Sequence, residues 1–231
     1  MTKRDESRGS ETSRRAFLLA ASSAPAFVIS TFEELSRAAP VTRPSPARMD
    51  LDRFVADCVA AGGESEPQAA VLEVIAKAVR EPAALRAALG EPKEAGIRVL
   101  HRSKTLTVFS ATWTPNMTLM PHEHRMWAAI GIYTGREDNI LWRRSAARIE
   151  AFGAKALFAG DAVALEADAI HSVTNPLPRF TGGIHAYGGD FFDRARSQWD
   201  PETLSEEASD GETIRGIFRR ENERAARCAA L

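Results

Sequence analysis

His122 and His124 sit two residues apart in Met120-Pro121-His122-Glu123-His124-Arg125-Met126-Trp127. On a β-strand, residues i and i+2 face the same side, so both imidazoles can reach one point. Neutral imidazole is the commonest protein ligand for a metal ion. Two nitrogens do not close a site, and the third candidate is His171. Gly160 marks a tight turn into a strand, and His171 begins the next one. In a small barrel that strand can lie beside the one bearing His122 and His124. His185 stands in Ile184-His185-Ala186-Tyr187, while His101 reads as structural. Glu137 and Asp138 could also ligate, but Gly135 to Asn139 reads as a hairpin turn, which makes them surface carboxylates.

The elements that must position these side chains change character along the chain. Residues 1–39 hold a polar tail and then Ser13-Arg14-Arg15-Ala16-Phe17-Leu18-Leu19, followed by a mild apolar run to Ile29. This resembles a twin-arginine export signal, with Leu19 where that pattern usually has lysine. It implies a folded, metal-loaded protein exported to the periplasm; without export the protein is cytoplasmic. The run is too short to span a membrane. Residues 40–95 read as a proline-bearing linker and a helical cap. Apolar spacing predicts helices over Met49 to Ala61, Pro67 to Val79 and Pro82 to Leu89, stopped by Gly62-Gly63 and Gly90.

From Ile97 the period shortens. Strands are expected at Ile97–His101, Leu106–Trp113, Trp127–Tyr133, Ile140–Ala146, Lys155–Leu157, Ala162–Ala164, Ile170–Val173 and Gly182–Tyr187. Short strands at close spacing predict an all-β sandwich or barrel over residues 96–190. Residues 191–231 turn polar, and Thr213 to Cys228 reads as an arginine-rich helix with a solvated face.

Composition limits the partners. The chain has 231 residues, with 30 basic and 31 acidic, for a net charge of −1. Nothing here points to nucleic acid or to an anionic membrane surface. Cys58 and Cys228 stand near opposite ends and read as unpaired thiols rather than a disulfide framework.

The two histidine stretches together, His-x-His and then Gly160-x10-His171-x3-Asn175, resemble the paired motifs of the cupin superfamily. That resemblance implies an all-β core, a double-stranded β-helix barrel with metal inside, flanked here by an N-terminal helical cap and a C-terminal helix. The first motif has Asn116 at its leading glycine and Ala128 or Ala129 where the superfamily's metal-binding glutamate would stand. A three-histidine cupin resembles the cysteine dioxygenase family, and the segment from Pro121 to Asn139 is more closely similar to a bacterial branch of predicted metal-dependent cupins related to it, a likeness that covers roughly residues 50–200. It implies Fe(II) on His122, His124 and His171, with a small thiol and O2 as substrates and a sulfinate as product. It also implies catalytic roles for Tyr187, facing bound oxygen or thiolate, and for His185, which orients Tyr187. The serine that accompanies that pair falls at Gly183. Arg98 or Arg102 would hold a substrate carboxylate, and Phe109, Met126 and Trp127 would make the pocket apolar. Two other functions fit the same residues. Three histidines with an open position also describe a zinc site for hydrolase or isomerase chemistry. Loss of the serine partner suits a non-catalytic cupin that binds metal or a small ligand.

Overall fold

The computed structural model describes residues 47–146 and 148–229. The arginine pair and the export signal read from it lie outside the described residues. The chain divides into two units, and the fold described is that of Ser45–Leu231.

Three helices come first. α1 (Leu51–Ala61) starts at Asp50, whose carboxylate accepts the Arg53 backbone N–H at 3.0 Å. α2 (Pro67–Val79) and α3 (Pro82–Leu89) each open on proline, whose missing N–H costs nothing in the first turn. Their bounds match the expected ones at Pro67, Val79, Pro82 and Leu89.

Eleven strands follow among the described residues: β1 (Gly96–Arg102), β2 (Thr107–Trp113), β3 (Thr118–Glu123), β4 (Ala128–Thr134), β5 (Arg136–Ser145), β6 (Arg148–Phe158), β7 (Ala162–Leu165), β8 (Ile170–Thr174), β9 (Thr181–Tyr187), β10 (Ser197–Trp199) and β11 (Glu206–Ala208). The long helix α4 (Gly211–Ala229) closes the series. The strands form two antiparallel sheets, ordered β1-β2-β9-β4-β7 and β11-β10-β3-β8-β5-β6. The strands make the expected all-β barrel of double-stranded β-helix type, with helices before and after it among the described residues.

Side-chain alternation explains why β2, β4 and β9 are buried on both faces. Phe109, Ala111 and Trp113 point into the barrel, as do Ala128, Ile130, Ile132 and Tyr187. Val108, Ala129, Tyr133, Ile184 and Ala186 point the other way, onto Phe54, Val71, Ile75, Val79 and Leu85 of the helices. Burying each of the Val, Leu, Ile and Phe side chains among them is worth roughly 1.5–3 kcal/mol. The close fit needs Gly131, since a Cβ there would lie 2.5 Å from Ile75 Cγ2. The helical cap therefore covers one sheet face, and the barrel interior is left to carry the site.

Several expectations change. Residues 118–123 form a strand of their own, and β6 runs far beyond Lys155–Leu157. Asp138-Asn139 is not a turn: the turn is Thr134-Gly135, with Gly135 at φ +80°, and β5 starts at once. The polar segment after residue 190 contributes β10 and β11. α4 is more than a solvated helix, because Phe218 is buried in the barrel core and Ile214 and Ile217 pack against it.

Candidate metal centre

The three histidines come together. His122, on β3, is the direct register partner of His171 on β8. His124 lies just past the end of β3, where Arg125 turns the chain with φ 53°. All three are buried, and one nitrogen from each lies within 4.8 Å of the other two. The turn between His122 and His124 is anchored from behind. Glu123 points away from the barrel interior and accepts hydrogen bonds from Arg125, from Arg144 at 3.2 Å and from the Ser197 backbone N–H at 3.2 Å. Burial pushes its pKa up, but these partners outweigh burial and hold it below the ordinary carboxylate value.

The tautomers follow from the second nitrogens. His122 Nδ1 lies 3.0 Å from the Met120 carbonyl, and His171 Nδ1 lies 2.6 Å from Asn139 Oδ1. Both partners accept, so both Nδ1 atoms carry the proton and both Nε2 lone pairs face inward. His171 Nε2 is 3.4 Å from His124 Nε2. Two nitrogens bound to one ion at about 2.1 Å stand about 3.4 Å apart when tetrahedral. Burial lowers the His122 pKa to about 4, and burial with the neighbouring histidines drives His124 and His171 well below 6.5. Neutral imidazoles with converging lone pairs fit a transition-metal ion and repel one another without one. No carboxylate joins the cluster among the described residues. Of the two positions where a glutamate ligand was expected, Ala128 presents only a methyl group to the barrel interior and Ala129 faces the helices.

Tyr187 and His185 lie in the same interior. The Tyr187 ring is 4.7 Å from that of His124, and its hydroxyl is 3.2 Å from His185 Nδ1. Burial raises the Tyr187 pKa, so the phenol keeps its proton at neutral pH. Phe109 stacks on both rings, at 5.5 Å from His185 and 5.2 Å from Tyr187.

A cavity of about 460 Å³ opens onto these groups. Of the expected apolar lining, only Phe109 faces it. Met126 is buried in the barrel core and Trp127 packs toward the helical cap. Trp113, Phe191, Phe192 and Phe218 supply the remaining aromatic wall. Neither Arg98 nor Arg102 faces the cavity. A register shift between Val99 and His101 breaks their alternation. Arg98 donates to the Leu89 carbonyl, and Arg102 pairs with Asp190 at 2.8 Å over the Phe192 ring. Three arginines line the cavity: Arg215 and Arg219 pair with Glu212, while Arg196 is half-buried, 4.1 Å above the Phe191 ring and donating to the Phe191 carbonyl. Among the described residues no carboxylate lies within 4.0 Å of it.

Glu137 is not the surface group that a hairpin turn would make it. It is fully buried, while Asp138, on the opposite face of β5, is outside and pairs with Arg136 at 2.6 Å. Glu137 Oε2 accepts from Trp113 Nε1 at 2.9 Å and Oε1 accepts from Asn139 Nδ2 at 3.1 Å. His185 Nε2 lies 3.6 Å away. Burial alone would raise the Glu137 pKa, but His185, Asn139 and Trp113 hold it below the ordinary value. Asn175, from the second motif, serves the fold. Its amide donates to the Thr114 and Arg179 carbonyls at 2.8 Å and ties the loop before β9. Cys58 is buried with its thiol pushed up to about 12, and Cys228 is exposed; both are free.

No protein-family model matches the chain, and no curated protein sequence does. Solved structures resemble it at low similarity. A protein with a double-stranded β-helix domain from Klebsiella pneumoniae is 12% identical over 52% of this chain and 88% of its own, with a TM-score of 0.35. A cupin from Methanocaldococcus jannaschii is 10% identical over 45% and 87%, at 0.38. The DMSP lyase DddQ from Ruegeria pomeroyi is 17% identical over 47% and 53%, also at 0.38. Likenesses this weak carry no chemistry across.

Proposed function

We propose that this protein is a thiol dioxygenase related to the cysteine dioxygenases, acting on a small anionic thiol with iron(II) on His122, His124 and His171. The observation that carries the reading is the set of three buried, neutral imidazoles converging without a carboxylate. Such ligands add no negative charge, which favours an anionic thiolate beside a divalent ion. Bound iron(II) would supply open positions for thiolate and O2. In balance, the thiol gives up its proton, both oxygen atoms end on sulfur as a sulfinate, and four electrons pass from sulfur to O2, so no separate reductant is needed.

The chain's own residues fit the remaining tasks. Arg196 offers an unpaired guanidinium for the substrate's anionic group, taking the role expected of Arg98 or Arg102. Phe109, Trp113 and Phe191 exclude water from the reacting atoms. The Tyr187 hydroxyl, beside the histidine cluster, hydrogen-bonds to substrate, and His185 orients it. The arginine pair at Arg14-Arg15 supports a periplasmic setting for this chemistry.

Metal content of anaerobically purified protein, followed by O2 uptake against a panel of small thiols, tests the reading. Stoichiometric iron with thiol-dependent uptake, lost in His171→Ala, supports it. Zinc, with activity indifferent to O2, replaces it by the hydrolytic or isomerase reading. Metal without turnover replaces it by a binding role.

A further inference from the structure

Glu137 is fully buried, and among the described residues the one basic side chain within 4.0 Å of it is His185. Its other hydrogen-bond partners are the Trp113 indole N–H, which can only donate, and the Asn139 side-chain amide. A carboxylate can only accept. Asn139 must therefore turn its NH2 toward Glu137, at 3.1 Å, and its Oδ1 toward His171 Nδ1, at 2.6 Å. An accepting oxygen at that point requires a proton on His171 Nδ1. The His171 lone pair is then left on Nε2, 3.4 Å from His124 Nε2.

The same carboxylate acts on the other side. Glu137 Oε2 faces His185 Nε2, a buried nitrogen with no hydrogen-bond partner of its own. An acceptor there favours a proton on Nε2, which leaves Nδ1 to accept the Tyr187 hydroxyl at 3.2 Å.

We propose that Glu137 is the positioning residue of this centre: through Asn139 it selects the ligating nitrogen of His171, and through His185 it selects the direction of the Tyr187 phenol proton. The proposal deepens the metal reading and rests on it for its affinity test. Glu137→Gln replaces one acceptor oxygen by a donor. Either Asn139 flips, which forces the His171 proton onto Nε2, or the amide opposes the Trp113 indole. The double variant E137Q/N139D restores the order. The oxygen of the introduced glutamine accepts from Trp113, and its amide donates to one oxygen of the introduced aspartate. The other oxygen of that aspartate accepts from His171.

The experiment compares wild type, E137Q and E137Q/N139D by cobalt(II) titration of metal-free protein and by nitrogen-15 NMR of the His171 tautomer without metal. Second-layer substitutions of this kind weaken metal binding by roughly 10–100-fold. E137Q is expected in that range with the His171 proton moved to Nε2. The double variant is expected within about threefold of wild type, with the proton back on Nδ1. Wild-type affinity and tautomer in E137Q would overturn the proposal, as would a double variant no better than the single one. If E137Q does not fold, the double variant carries the test, and its failure to fold overturns the proposal too. If wild type binds no cobalt or iron, the metal reading fails while the tautomer measurement still decides the role of Glu137.

Discussion

His171 is the register partner of His122 across the β3–β8 ladder, so two of the three converging nitrogens are placed by strand pairing itself. His124 is different, because it stands past the end of β3 and depends on the turn that Glu123 anchors. Glu123→Ala removes the acceptor for Arg125, Arg144 and the Ser197 N–H. We expect a loss of about 2 kcal/mol, the worth of one or two hydrogen bonds to a charged group. Urea unfolding measures it. Metal affinity should fall as well, since the His124 backbone loses its anchor. Unchanged affinity would show that the turn is held by other contacts.

Acid should destabilise the metal-free protein well before its carboxylates titrate. Burial holds His122 neutral to about pH 4, and His124 and His171 also stay neutral in the fold below their ordinary value of 6.5. Between those limits the unfolded chain binds protons that the folded chain refuses. Stability is therefore full above about pH 6.5 and falls as pH drops toward 4. For His122 alone the shift corresponds to about 3 kcal/mol. Urea midpoints at pH 7.5, 6 and 5 should fall in that order, and a bound metal should flatten the decline down to pH 5. A midpoint independent of pH across this range would contradict the neutral cluster.

The histidine set was legible because its signal is local: a spacing of two on one strand, and a second motif that brings β8 beside β3. The helical cap was legible for a similar reason, with prolines at the first helical positions and apolar residues on one face. Glu137 was missed because polar residues at the start of β5 look like a turn. Had the strand been extended back from Ile140, positions 137, 139 and 141 would have shared the face of Leu141, with Asp138 opposite. Arg196 and Phe218 were missed for a different reason. They come from the polar tail of the sequence, where solvation is the ordinary expectation. Only the i, i+4 spacing of Ile214 and Phe218 hinted that α4 returns to the barrel.

Arg196→Met should separate charge from shape at the cavity wall. The guanidinium faces the cavity with no carboxylate partner among the described residues, so its loss removes a charge-assisted contact to substrate. A contact of about 2 kcal/mol corresponds to about 30-fold. KM for a thiol carboxylate is expected to rise by that factor, with little change for an uncharged thiol of the same size. Equal effects on both substrates would assign Arg196 to packing against Phe191.

Tyr187→Phe keeps the ring that packs against His124 and Phe109 and removes only the hydroxyl beside His185. Metal content should match wild type, and kcat should fall by on the order of 100-fold, the lower end for a positioned proton-transfer group. Steady-state turnover with quantified iron checks both. Loss of metal together with turnover would give the hydroxyl a structural role instead.

Gly183 keeps the space in which His185 and Glu137 meet. A Cβ at that position would stand 3.1 Å from His185 Nε2 and 3.0 Å from Ile132 Cδ1, with the Gly131 carbonyl at 3.2 Å. Backbone conformation is not the obstacle, since Gly183 lies in regular β9 without a positive φ. Gly183→Ser therefore acts by crowding: the imidazole must shift away from Glu137, or the barrel must open slightly around Ile132. Overpacking of this kind costs about 1–3 kcal/mol. The double variant G183S/I132V relieves the contact with Ile132 but not the one with His185. Restored stability with turnover still depressed would place the functional cost on the His185 contact. Restored turnover as well would place it on Ile132 and leave the His185 position insensitive to its neighbour.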